Sequence, residues 1–289
     1  MITCTFYLLA LAPGIAPRDF SSTLLPKAAP DLEILVTGIP HGWVHRPLQQ
    51  DAPRLTSRDW DLFIVTRSSP ISLVANINDS IAAYITADFT MPQHQYERLV
   101  FERSTKFAGK PSKHSVQLPK EWTDSATNAL HIPREHIVEA YNGAEKAGIL
   151  RLQPAMVEFL SNSLPSEARQ RPVSLFNLFM YTDGDSAIHD KYMRDFEKGF
   201  GDSAGAYVKF MGPVLSQLRD GQDSIGQADV ESESSPKGRG WQDVDLVHYD
   251  TIYHYAYMLS TGLYQQLNED KVKGLEDTCI LLVSEDELL

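Results

Sequence analysis

The sequence predicts an α+β fold made of two copies of one β-α-β-β-α-β unit joined by a helical insert, and three observations predict it. Strand-like and helix-like segments follow that order in residues 1–108 and again in residues 172–289. The third strand of each copy opens on Trp, carries an early Asp and follows a polar loop: WDLFIV at 60–65 and WQDVDLV at 241–247, a weak internal repeat. Between the copies, residues 109–171 place Met156, Val157, Leu160 and Leu164 at helical spacing. The unit is that of ferredoxin-like sandwiches. One copy leaves an apolar sheet face uncovered, and two copies in one chain can pack those faces together.

Element by element, residues 2–11 alternate polar and apolar through Thr3, Cys4, Thr5 and Phe6 and end at a Pro-Gly turn, which suits a first strand. The same stretch has the apolar centre of a secretory leader but lacks its basic start, so the chain reads as cytoplasmic. A helix is expected over 17–28, strands over 32–41 and 60–67, then a short helical piece and a strand over 80–89. The second copy runs as a strand over 173–181, a helix over 185–200 capped by Asp185 or Ser186, strands over 206–215 and 241–249, a helix over 250–268 and a closing strand over 275–283. Residues 217–240 are rich in Gly, Ser and acid and nearly free of large apolar side chains. They are expected to be a flexible loop, an insertion in preference to a lid.

Composition narrows the function classes. With 26 basic against 38 acidic residues the net charge is -12, which sets the chain against nucleic-acid backbones and anionic membrane surfaces. Its two cysteines, Cys4 and Cys279, lie in apolar strand-like runs, which excludes a disulfide framework and a cysteine zinc site. GFGDSA at 199–204 matches a dinucleotide loop but follows a helix and precedes a strand, the reverse of what a pyrophosphate needs, so it reads as a glycine helix stop. The His41/His45 and His131/His136 pairs have no carboxylate at ligand spacing, and no metal or other cofactor is expected.

The densest chemistry lies in DLVHYDTIYHYAYML, residues 245–259. Strand alternation puts Val244, Leu246 and His248 on one face and Asp243, Asp245, Val247 and Tyr249 on the other, and the first set is expected to face the helices. Asp250 and Thr251 stand where a helix N-cap belongs, and Ile252, Tyr255, Ala256 and Leu259 form an inward stripe. Asp245, in mid-strand, needs a hydrogen-bonded partner if buried, and it is expected among the substrate-binding residues with Tyr192, Phe196, Tyr255 and Leu259. A pocket between sheet and helices is then lined by Tyr181, Tyr192, Phe196, His248, Tyr255 and Leu259. His248 serves as general base and Tyr249 or Tyr181 as proton donor or oxyanion stabiliser, since imidazole titrates near neutral pH.

The strand ending in Tyr249, the helix carrying Met258 and Leu259, the Tyr264-Gln265 pair and the closing strand with Asp277 and Thr278 resemble the dimeric α/β-barrel superfamily. Within it the chain looks like the tandem EthD-like or DUF1330-like proteins common in fungi. Asp250 and Thr251 replace the family's usual Pro-Ser, and Lys271 or Lys273 takes the place of a basic residue that often follows the Tyr-Gln helix. The resemblance implies an intrachain pseudo-dimer, monomeric or further dimerised. Across the superfamily it implies cofactor-free monooxygenases, cyclases, isomerases, decarboxylases, haem enzymes and stress proteins. The expectation is a small-molecule enzyme: a lyase, isomerase or cyclase moving protons on a hydrophobic aromatic or polyketide-like metabolite. The alternatives are a non-catalytic ligand-binding or stress-related protein, or a haem-binding protein or cofactor-free monooxygenase.

Overall fold

The computed structural model describes residues 1–49, 51–67, 78–104, 117–127, 129–138, 150–166, 168–182, 186–200, 205–221 and 240–285. Among the described residues nine strands form one antiparallel sheet: β1 (Ile2–Leu11), β2 (Ile34–His45), β3 (Leu62–Arg67), β4 (Ile81–Met91), β5 (Val173–Tyr181), β6 (Ala206–Pro213), β7 (Arg219–Gly221), β8 (Asp243–Tyr249) and β9 (Leu275–Ser284). Their order is β6-β8-β5-β9-β2-β3-β1-β4-β7. The four main strands of each half therefore lie side by side in the same internal sequence, second, third, first, fourth. The halves are joined where β2 pairs with β9.

The far ends of the sheet also meet. Phe89 and Val214 form an antiparallel bridge, and Leu215 N donates to Asp88 O at 2.7 Å. β7 then pairs with β4. Gly212 makes this approach possible, because a Cβ there would stand 1.8 Å from the Thr90 carbonyl oxygen. The expectation of a loop over 217–240 is corrected at its start, where residues 219–221 are this edge strand; residues 222–239 lie outside the described set.

Closure gives the sheet an inner and an outer face. The inner face gathers residues from both halves into one core, including Phe6, Phe63, Phe89, Phe176, Phe210, Leu246 and both cysteines, Cys4 and Cys279. Phe176 sits 5.0 Å from Phe6 and 4.8 Å from Phe63, ring to ring, so the halves interlock through aromatics. Burial pushes the Cys4 thiol up to about 12, as expected of a reduced side chain used for packing. The two tryptophans of the repeat are both buried against this core. Both reach the segment around α3 (Ala52–Thr56), Trp60 Nε1 donating to Leu55 O and Trp241 Nε1 to Asp51 Oδ2.

Outside the sheet, the two halves differ. Over the N-terminal half, α1 (Pro17–Asp19), a π-turn at Phe20–Leu24 and α2 (Leu25–Ala28) occupy the predicted helix, and Phe20 and Leu25 pack on Leu9, Leu62 and Ile64. The helical piece expected before β4 falls on residues 68–77, outside the described set. Over the C-terminal half lie α5 (Pro154–Asn162), α6 (Ala187–Phe200), α7 (Ile252–Ser260) and α8 (Gly262–Lys273). The helix expected over 250–268 is two helices, since Thr261 is extended and caps the second by accepting from Tyr264 N. A further helix, α4 (Gln93–Ser104), follows β4 and was not expected; its sequence is mostly polar and buries only Gln95 and Leu99.

The helical insert is found in part: α5 carries Met156, Val157 and Leu160 as expected, the remaining described residues depart from it, and residues 109–116, 128, 139–149 and 167 lie outside the described set. Between 109 and 171 the described residues form α5 and the 3₁₀ turns Lys120–Trp122, Arg134–His136 and Ala168–Gln170 in otherwise irregular chain. Pro119 and Pro133 stand just before the first two turns in extended conformation, which interrupts any longer helix there.

Candidate functional site

The alternation in β8 is as read, but its two faces are reversed. Val244 and Leu246 belong to the inner core, whereas Val247 and Tyr249 pack under the helices of the C-terminal half. Asp245 therefore points toward the helices and His248 away from them. This corrects the placement of His248 in a pocket with Tyr192 and Tyr255. Every residue of β8 after Asp243 is buried, so an apolar stripe could not distinguish the faces.

On the helix side, Asp245 is 2% exposed and stands directly across from Asn177 on β5. The Asn177 amide donates to Asp245 Oδ1 at 2.5 Å and to Leu175 O at 3.1 Å. Lys271, on the inward stripe of α8 with Tyr264 and Asn268, is 4% exposed and lines the same cavity. Its ammonium lies 5.2 Å from the centroid of the Tyr192 ring. Around these three polar groups stand the phenols of Tyr192, Tyr249, Tyr255 and Tyr264, with Phe179, Phe196 and Met258 completing the wall. The free space is about 30 Å³ for the centre of a water-sized sphere, room for roughly two waters.

Burial raises the Asp245 carboxyl to about 7, against the opposing pull of the Asn177 hydrogen bond and the Lys271 charge. Burial likewise brings the Lys271 ammonium down to about 8, with Asp245 pulling it back up. Acid and amine thus titrate within reach of neutrality and of each other. The four phenols are pushed upward by burial and remain hydrogen-bond donors. Tyr249 donates to Met258 Sδ at 3.4 Å, while the Tyr255 hydroxyl is buried with no hydrogen-bond partner among the described residues.

The remaining predicted residues are distributed around this cavity. Tyr192, Phe196, Tyr249, Tyr255 and Asp245 line it, whereas Leu259 packs in the apolar cluster behind the wall. Tyr181 lies beyond Phe179, where its hydroxyl donates to Asp243 Oδ2 at 2.6 Å and is 2.7 Å from His189 Nδ1. Burial lowers His189 to about 3, so this imidazole is neutral. Capping falls to Thr251, whose hydroxyl accepts from Tyr253 N and His254 N.

His248 belongs to a second buried polar cluster. Its Nδ1 is 3.4 Å from Ser174 Oγ, its ring is 4.9 Å from Tyr207, and Ser174 donates to Glu285 at 2.5 Å. Lys209, 1% exposed, pairs with Glu285 at 2.6 Å and Glu102 at 3.6 Å. Arg98 donates to the Val208 and Lys209 carbonyls, so α4 of the first half is tied to β6 of the second. Each side chain named here makes at least one contact to another in the cluster or to its backbone, and these contacts fasten the halves together.

Sequence reasoning placed Asp245 at the site but did not identify Asn177 as its partner or bring Lys271 to the same cavity. The signals were present: Asn177 interrupts the apolar run VSLFNLFMY, and Asn268 and Lys271 continue the inward spacing that starts at Tyr264.

No family model and no curated protein matches the chain. Among solved structures it is similar to the RPA0582 protein of unknown function from Rhodopseudomonas palustris, with 17% identity over 47% of this chain and 97% of that one and a TM-score of 0.31. It is also similar to methylated RPA0582 protein, with 15% identity, 48% and 96% coverage and a TM-score of 0.34. Among the described residues no helix is long and apolar enough to cross a membrane.

Proposed function

We propose that the chain is a small-molecule enzyme of the dimeric α/β-barrel type, with two ferredoxin-like halves in one polypeptide, that moves protons without a cofactor. The repeated strand order and the meeting of the sheet ends support the architecture. The observation that carries the chemistry is the Asp245 carboxylate, buried in a cavity, held by Asn177 and neighboured by the Lys271 amine. Asp245 replaces His248 as the base. It would take a proton from carbon next to a carbonyl, and Tyr255, whose hydroxyl is otherwise unengaged, would donate to the enolate oxygen.

The narrow cavity directs the reading to compact carbonyl substrates; an aromatic or polyketide-sized molecule requires the helices over the cavity to move. Incubation of the protein in D₂O with small ketones and aldehydes, followed by proton NMR, tests it. Protein-dependent deuterium uptake next to the carbonyl, lost in Asp245→Asn, is the expected result. Equal uptake by both proteins overturns the assignment of Asp245. The same narrowness favours a second reading, a binding protein without turnover, which predicts ligand-induced thermal stabilisation and no uptake by either protein.

A further inference from the structure

Lys271 is not explained by proton transfer from Asp245 alone. A lysine side chain is ordinarily kept at the surface, and when buried it is ordinarily paired. Here it is 4% exposed and lines the cavity, and no hydrogen bond or ion pair holds its Nζ among the described residues. What it meets is the face of Tyr192. The neighbouring carboxylate is committed to the Asn177 amide, and the surrounding phenols are uncharged. The arrangement keeps an amine near neutral pH without consuming its lone pair in a salt bridge. It also puts a proton carrier and several O–H donors beside that amine.

We propose that Lys271 is a nucleophile that condenses with a compact aldehyde or ketone to form an imine in the cavity. This deepens the proton-transfer reading and rests on it for the role of Asp245. The unprotonated Nζ attacks the carbonyl carbon, and the carbonyl π pair moves to oxygen, which takes a proton from the cavity's acid. The nitrogen, cationic after the attack, gives one of its two protons to that same oxygen, and its freed lone pair forms the C=N bond as the C–O bond breaks and water leaves, giving a protonated imine. The iminium then draws electrons from the adjacent C–H bond, whose proton passes to the Asp245 carboxylate, giving the enamine. The summed oxidation state of the carbons is unchanged, so no oxidant or reductant is needed, and water is the only leaving group. Burial supplies the unprotonated fraction, because the amine titrates near 8 in place of its usual 10.5.

The size of the cavity sets the ligand class. Two water sites give space for two to four heavy atoms beyond the amine, so acetaldehyde and acetone are suitable probes. The full-length protein is incubated with each probe and sodium borohydride, digested and mapped by mass spectrometry. Expected is one equivalent of reduced adduct at Lys271, about tenfold or more above any exposed lysine such as Lys191 or Lys273, and none at that position in Lys271→Met or Lys271→Arg. Labelling spread evenly over exposed lysines, with Lys271 unmodified in a wild type of unchanged Tm, overturns the proposal. Lys271→Arg keeps the charge and tests folding, since its Tm should lie within a few degrees of wild type.

The two readings fail separately. Deuterium uptake that survives Lys271→Arg but not Asp245→Asn retains proton transfer and overturns the imine. Trapping at Lys271 with no deuterium uptake retains the imine and overturns proton transfer.

Discussion

Asn177 and Asp245 occupy facing positions on adjacent strands, and the amide of one donates to the carboxylate of the other at 2.5 Å in a setting almost without solvent. The bond holds a group that burial otherwise drives toward neutrality. Direction of titration follows from this balance, and so does the effect of pH on stability.

In the unfolded chain Asp245 loses its proton near 3.8, and in the folded chain near 7. Between these values the folded state binds more protons, so this group makes stability fall as pH rises through the window. The groups facing it are Asn177 on β5, Asp243 and Tyr249 on β8, Tyr192 on α6, and Lys271 and Tyr264 on α8. Lys271 acts in a separate window, raising stability from about 8 to 10.5. Urea unfolding at several pH values should show wild type losing on the order of 3 kcal/mol more than Asp245→Asn between pH 4 and 7. Parallel curves for the two proteins would contradict a raised carboxyl.

Tyr255 lets the proposed proton transfer be tested apart from packing. Its hydroxyl has no partner among the described residues, so Tyr255→Phe removes no hydrogen bond and should change unfolding free energy by less than about 0.5 kcal/mol. If the hydroxyl stabilises an enolate, the same variant slows deuterium uptake by roughly 10- to 100-fold. Tyr264→Phe, which removes the bond to Asn268, provides the comparison.

Lys209 bridges two carboxylates under cover. Lys209→Met leaves the buried Glu285 and the half-buried Glu102 without this cation, and a loss of roughly 3–5 kcal/mol is expected by chemical denaturation. The double variant Lys209→Met/Glu285→Leu should recover a large part of it. His248→Asn, in the same cluster, should leave deuterium uptake at the wild-type rate, since its side chain lies on the opposite face of the sheet from Asp245.

Gly212 tests how the sheet closes. A methyl group there collides with the Thr90 carbonyl, which is backbone and cannot swing away. Gly212→Ala should therefore cost at least about 2 kcal/mol, with accelerated amide hydrogen exchange at Leu215, whose N–H crosses the junction. Unchanged protection at Leu215 would show that the junction adapts.

The strands were legible because their signal is local. VSLFNLFMY forms β5 over the expected residues, and WDLFIVTR and LEDTCILLV differ from β3 and β9 only at their ends. The orientation of β8 was not legible, since Val244 and Leu246 on one side and Val247 and Tyr249 on the other are equally apolar. Period-two alternation separates two such sets but does not say which faces inward. That single ambiguity exchanged Asp245 for His248. Helix α4 was hidden for the opposite reason: QHQYERLVFERS has too little apolar periodicity to announce a helix that buries two side chains.

The junction of the sheet ends has a consequence for stoichiometry. When a closed sheet is assembled from separate identical chains, dilution opens it, and every cavity appears as often as there are subunits. Here β2 meets β9, and β4 meets the chain after β6, within one polypeptide, so closure is unimolecular and insensitive to dilution. The two outer faces are also free to diverge. Leu9, Leu62 and Ile64 seal one under Phe20 and Leu25, while the other keeps an acid, an amide and an amine beneath its helices. The valence of the described polar cavity is one per chain, whatever the protein concentration.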